Sequence, residues 1–156
     1  MRIRGSYAVP EVSGILTRMR LITAASVPPS LARVNEPTAP PLRVGLVQHA
    51  WGPDTGALRE TLLDGIRTAA DAGAQIVFLP ELTLSRYPAD TLPTGRPDTT
   101  AESLTDGPTI TFAREAAAAT GVLVHASLFE RAPAPDGTDD GLGFNTAILV
   151  APDGEL

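Results

Sequence analysis

Apolar positions from Leu42 onward follow two alternating spacings, and the changes between them mark out the elements. Leu42-Arg43-Val44-Gly45-Leu46-Val47-Gln48-His49 predicts a strand, with Pro40 and Pro41 at its edge. Trp51-Gly52-Pro53-Asp54 reads as a loop whose Asp54 or Thr55 can cap a helix. From Ala57 to Ala72 the period becomes helical, with Leu58, Leu62, Ile66 and Ala69 or Ala70 on one face. Gly73 stands where helices end on a left-handed residue. Ala74 to Leu79 then predicts a second strand, so the two strands should be parallel with a right-handed crossover.

Residues 83–107 are polar and rich in Thr, Pro, Gly and Asp; unstructured connections of this length usually carry function. Asp106-Gly107-Pro108 opens a second helix, which runs through Ile110, Ala113, Ala116 and Ala117 to Gly121. Val122 to Ser127 predicts a third strand, residues 132–143 a flexible turn, and Phe144 to Val150 a fourth strand. Pro152-Asp153-Gly154 reads as a turn into a return strand, and the pattern reaches Leu156 in mid-hairpin. The domain over 42–156 is therefore expected to be incomplete.

Residues 1–41 hold no sustained period, and prolines stand at 10, 28, 29, 37, 40 and 41. The apolar stretch Ile15 to Ile22 is cut by Arg18 and Arg20, which makes a poor signal-peptide core. An Arg-bearing transit peptide fits badly with Glu11 and Glu36. The expectation is a disordered leader, because such a composition buries too little surface to offset chain ordering.

Composition narrows the chemistry. A length of 156 residues with 43% apolar content suits one globular domain. No apolar run approaches the roughly 18 residues of a transmembrane helix, and the expected location is the cytoplasm. The chain has no cysteine, which excludes a disulfide framework, a thiolate zinc site and a thiol nucleophile. All twelve basic residues are arginines, so no lysine is available for a Schiff base or a phosphate loop. Residues 1–41 carry five Arg against two acids, while the remainder carries seven against sixteen. An acidic body argues against nucleic-acid binding, which needs a basic face.

Gln75-Ile76-Val77-Phe78-Leu79-Pro80-Glu81-Leu82 places a carboxylate at the end of an apolar strand. In parallel α/β sheets that is where ligands bind, so Glu81 is a candidate general base. This stretch, together with Arg43-Val44-Gly45-Leu46-Val47-Gln48, Ala72-Gly73-Ala74, Ser127-Leu128-Phe129-Glu130-Arg131, Phe144-Asn145-Thr146-Ala147 and Pro152-Asp153-Gly154, resembles the amino-terminal half of the carbon–nitrogen hydrolase (nitrilase) superfamily. Tyr87 lies downstream of the Glu81 motif in the same pattern. Each piece alone is weak; their order and spacing make the likeness specific. The Ser-Leu-Phe-Glu-Arg piece is most similar to the N-carbamoylputrescine amidase branch.

The resemblance implies a four-layer α-β-β-α sandwich, truncated here after about the fourth strand. It also implies hydrolysis of a non-peptide C–N bond, in an amide or an N-carbamoyl amine, by a Glu-Lys-Cys set without a cofactor. Glu81 would be its general base, and Tyr87 and Glu130 would line the substrate pocket. The lysine and cysteine have no counterpart in this sequence. A base without a nucleophile forms no covalent intermediate, so the chain alone is expected to be inactive. The implied partners are a small amide or carbamoyl substrate and, for the full-length enzyme, further copies of itself. The competing reading is a non-catalytic half-domain that serves as a binding or regulatory module, or pairs with a complementary chain.

Other residues have plainer readings. Glu130 with Arg131 also fits a solvated strand end, and Tyr87 a packing aromatic. Asn145 is expected to tie the last hairpin, and Phe129 and Phe144 to lie in the core. His49 and His125 are isolated, too few for a metal site, and no Gly-x-Ser-x-Gly elbow supports a serine hydrolase. Gly141-Leu142-Gly143 lacks the third glycine of a dinucleotide loop. Asp136 to Gly141 lacks the ligand pattern of a calcium loop, and is expected to be a polar turn.

Overall fold

The computed structural model describes residues 19–23, 39–87, 94–138 and 140–156. Most of the expected leader therefore lies outside the described residues, but Met19 packs against the core. The elements follow the order β1 (Val44–Leu46), α1 (Thr55–Asp71), β2 (Ile76–Phe78), α2 (Pro108–Thr120), β3 (Leu123–Glu130) and β4 (Phe144–Val150). They form one four-stranded sheet of order β1-β2-β3-β4. The first three strands are parallel, and β4 returns antiparallel to β3.

Local chemistry sets the ends of the helices. The Asp54 side chain accepts from the Ala57 amide at 3.1 Å, satisfying one of the unpaired donors of the first turn of α1. Gly73 and Gly121 follow the two helices at φ +85° and +71°, a region in which a side chain would be strained. Pro108 opens α2, where its missing N–H costs nothing. The predicted stripe of α1 is buried as Leu58, Leu62 and Ile66. Arg59 of α1 pairs with Glu115 of α2 at 2.7 Å, and its guanidinium lies 5.1 Å from the Phe112 ring centre.

Both helices lie on one face of the sheet. Val77, Val124, Ala126, Leu128, Ile148 and Val150 point into that layer and join Leu62, Ile66, Ile110, Ala113 and Ala117 in a single core. Among the described residues the other face carries no helix. Leu46, Phe78, His125 and Leu149 lie abreast across its four strands. Leu46 is 78% exposed and Leu149 43%, while Phe78 and His125 are half-buried. Described residues thus supply one helix layer and one sheet, which is half of the expected four layers.

The described parts of the connection from β2 to α2 are more ordered than its composition predicts. They contain a 3₁₀ turn at Pro97–Thr100, and then Glu102 bridges to Glu130 of β3. The Glu102 amide donates to Phe129 O, and the Arg131 amide donates to Glu102 O, each at 2.7 Å. The Glu102 side chain is buried against the start of α2. One of its oxygens accepts from the Thr109 amide at 2.8 Å and the other from the Thr109 hydroxyl at 2.9 Å. Gly107 offers no side chain to cap this helix, so a carboxylate five residues upstream does so, where helix N-termini favour negative charge. No sequence spacing announced it.

Two outcomes are expected of the 156-residue polypeptide. The helix-free face should drive self-association, visible as concentration-dependent species in sedimentation velocity, and Leu46→Lys with Leu149→Lys should shift the distribution toward monomer. A monodisperse monomer with a sharp melt would contradict this. In that solubilised background, Glu102→Ala should destabilise the fold by about 1–3 kcal/mol in urea denaturation, because two buried donors lose their acceptor.

Candidate active site

Glu81 follows β2 after Leu79 and Pro80, at the carboxyl end of the parallel strands. Pro80 cannot donate to a strand ladder, and the chain turns there instead of extending the strand. Leu82 takes φ +50°, the one positive φ outside glycine among the described residues, and its side chain is buried. A left-handed leucine costs on the order of 1–2 kcal/mol, so other contacts must hold the turn.

Ser127 of β3 supplies them. Its hydroxyl accepts from the Leu82 amide at 3.2 Å. Its carbonyl accepts from the Thr83 amide at 2.9 Å. Its own amide donates to the Thr83 hydroxyl at 3.0 Å, and that hydroxyl donates to Pro80 O at 3.0 Å. Ser127 and Thr83 are both buried. The turn that carries Glu81 is thereby fixed to the middle of the sheet, while the Glu81 side chain stays exposed.

The carboxylate is met from the far side by β4. Asn145 Nδ2 donates to Glu81 Oε1 at 2.6 Å, and Ser127 Oγ donates to Asn145 Oδ1 at 3.3 Å. Asn145 was expected to tie its own hairpin; it spans 64 residues to the candidate base instead. This group lies on the helix-free face, the side shared by Ser127 and Asn145.

The other candidates stand elsewhere. Glu130 alternates with Val124, Ala126 and Leu128 toward the helix layer, where the Thr146 hydroxyl donates to its Oε2 at 2.6 Å. The structure does not bring Glu130 to Glu81. Tyr87 is 50% exposed at the end of a described segment. His125 lies against Phe78, ring centres 4.7 Å apart, and the His49 Nδ1 is 2.8 Å from Ala50 O. Each histidine keeps one buried ring nitrogen without a partner, Nδ1 of His125 and Nε2 of His49. Among the described residues no three His, Asp or Glu side chains converge as metal ligands. The Asp136 turn closes on itself: the Thr138 hydroxyl and amide both donate to its carboxylate and hold its pKa below the usual value. A groove of about 420 Å³ between α1 and α2, lined by Arg59, Leu63, Phe112 and Glu115, lies in the helix layer and not beside Glu81.

Chemically, the arrangement offers one oriented carboxylate that can take or return a proton. Ser127 is no nucleophile here, because its hydroxyl is buried and engaged on both sides. Among the described residues no helix is long and apolar enough to cross a membrane.

Comparison with known proteins fits this geometry. No curated protein matches the chain. Among solved structures, a CN-hydrolase superfamily protein from Xanthomonas campestris, with an arsenic adduct in its active site, is 26% identical at a TM-score of 0.52. That alignment covers 73% of this chain and 38% of the other. A carbon-nitrogen hydrolase from Helicobacter pylori G27 is 23% identical at a TM-score of 0.58, over 72% and 36% of the two chains. An N-terminal amidase is 19% identical at a TM-score of 0.55, over 73% and 26%. The last two likenesses concern the fold alone, and the chain spans well under half the length of all three structures. The carbon-nitrogen hydrolase family model matches residues 43–156, which contain the whole sheet, both helices and the Glu81 turn. The chain belongs to the carbon–nitrogen hydrolase family.

Proposed function

We propose that residues 42–156 form the amino-terminal part of an amidohydrolase that cleaves a non-peptide C–N bond, with Glu81 as its general base. The observation that carries this reading is the Glu81 carboxylate, exposed at the carboxyl end of β2 and held by Asn145 on the helix-free face. A general base needs access to its substrate and a fixed orientation, and Glu81 has both. Family membership supports the reaction class, and amidases are among the proteins of similar fold.

The chain contributes only part of the chemistry. Without cysteine there is no thiol to form an acyl intermediate, and without lysine no ammonium to stabilise the developing oxyanion. Both groups would come from sequence that completes the domain and packs on the exposed Leu46–Leu149 row. Tyr87, in the loop after Glu81, would approach the substrate from the side. Glu130 would act on the pocket only from beneath the sheet, through Thr146. An N-carbamoyl amine is the substrate class we favour, on the Ser127-Leu128-Phe129-Glu130-Arg131 resemblance. A cytoplasmic location and assembly of the complete enzyme into homo-oligomers belong to the same reading. The alternative, a non-catalytic half that pairs with another chain, rests on the same uncovered face and the missing nucleophile.

Ammonia release from simple carboxamides and N-carbamoyl amines separates these readings. The 156-residue chain should release none. Joined in one polypeptide to the remaining half of a family member that bears the lysine and cysteine, it should turn over, and Glu81→Gln should lower kcat about 100-fold or more. Turnover that survives Glu81→Gln, or turnover by the short chain itself, would refute the assignment.

A further inference from the structure

The hydrogen bonds around Glu81 form a directed chain. Leu82 N–H donates to Ser127 Oγ, so the Ser127 hydroxyl has its single proton free to give elsewhere. It gives that proton to Asn145 Oδ1. The asparagine amide has one oxygen and one NH₂ end, so its donor end must then face Glu81, where Nδ2 reaches Oε1 at 2.6 Å. The assignment of the two amide ends is therefore consistent at both contacts: a hydroxyl donor meets the oxygen, and a carboxylate, which only accepts, meets the NH₂.

We propose that Asn145 is a positioning residue for the reaction base, with Ser127 setting the orientation of its amide, so that Oε2 of Glu81 takes the proton. This rests on Glu81 being the base. An amide N–H fixed on Oε1 tolerates both states of the reaction only if the incoming proton goes to Oε2. A proton on Oε1 would turn it into the hydroxyl oxygen of the acid, a poorer acceptor for the Asn145 NH₂ than a carbonyl oxygen. With the proton on Oε2, Oε1 becomes the carbonyl oxygen of a neutral carboxyl and keeps the bond from Asn145. The step breaks one bond to hydrogen in the group that is activated, a thiol from the rest of the domain, and forms one O–H bond at Oε2. The bond to Asn145 remains throughout, and no described residue engages Oε2. Because Asn145 sits on β4 and Glu81 after β2, the base is aligned by a strand two places away in the sheet. The short contact also fits a charge-assisted bond, stronger than one between neutral groups.

The sequence makes the test direct, since the chain contains two asparagines, Asn35 and Asn145. Selective ¹⁵N labelling of asparagine side chains gives two amide signals, assigned by their loss on substitution. They can be recorded in solution or by magic-angle spinning on sedimented full chain. The Asn145 signal should move in one step as acid protonates the carboxylate, and the step should vanish in Glu81→Gln, an isosteric change at an exposed position. Ser127→Ala should broaden the Asn145 pair and shrink the step, and Ser127→Thr should restore it. A step that persists in Glu81→Gln, or that ignores Ser127→Ala in a variant with unchanged circular dichroism, overturns the proposal. In the joined polypeptide, Asn145→Ala should lower kcat about 10–100-fold with KM unchanged; an unchanged kcat overturns the positioning role and leaves Glu81 as base. Absence of all turnover in the joined protein counts instead against the hydrolase reading, and the amide signals still decide whether Asn145 and Ser127 hold the carboxylate.

Discussion

The Ser127 side chain is the constraint on which the candidate site depends. A left-handed leucine after a proline would not persist by itself, and an exposed glutamate on such a turn would sample many positions. By accepting from Leu82 and donating to Asn145, one buried hydroxyl fixes both the turn below the carboxylate and the amide above it. Thr83 reinforces the same strand through its backbone and its hydroxyl. Strain at Leu82 and order at Glu81 are thus two results of the same attachment to β3, where a backbone outlier is retained because surrounding contacts outweigh its cost.

That attachment works because β3 is the hub of the sheet. Its first half pairs with β2, its second half takes the Glu102 segment on the same side, and β4 runs along its other edge throughout. The long polar connection after Glu81 is held twice, at Ser127 and at Phe129–Arg131, before Glu102 caps α2. Glu102 thereby joins the loop, the sheet and the second helix. Its burial with three hydrogen bonds, two from Thr109 and one from Ser85 at 3.5 Å, suits a structural carboxylate. Glu81, exposed and held through one oxygen, has the opposite environment.

The two faces of the sheet divide the labour. The helix face is closed by leucines, isoleucines, alanines and Phe112 from α1 and α2. The opposite face combines the exposed Leu46–Leu149 row, the half-buried His125 with its unpartnered Nδ1, and the Glu81–Asn145 pair. Buried polar nitrogens usually find partners, and exposed apolar rows usually find cover. Both features mark this face as the side that the remainder of the domain would complete. A catalytic carboxylate there would be enclosed by the same packing that stabilises the fold.

Much of this was legible in the sequence. The 3.6-residue stripe of α1, the Asp54 cap, Gly73, Gly121, Pro108 and the span of β4 were local signals, and local chemistry decided them. The position of Glu81 at the end of an apolar strand was legible, and the resemblance, more than the strand end, made it a candidate base. The absence of cysteine and lysine fixed what chemistry the chain lacks. The strands β1 and β2 proved shorter than their apolar runs, because ladder pairing, and not hydrophobicity, sets where a strand ends. Glu130 could not be assigned to a face until its register opposite Phe144 was known, since one residue of slip reverses every side chain. Asn145 and Ser127 stood in the motifs of the resemblance, but nothing in the sequence linked either to the Glu81 turn: their partners lie 64 and 45 residues away along the chain. Contacts of that kind depend on strand order and register, which periodicity alone does not specify. The sequence by itself thus determined the elements and the available reactive groups; only the tertiary structure decided which side chains hold the Glu81 carboxylate and on which face it stands.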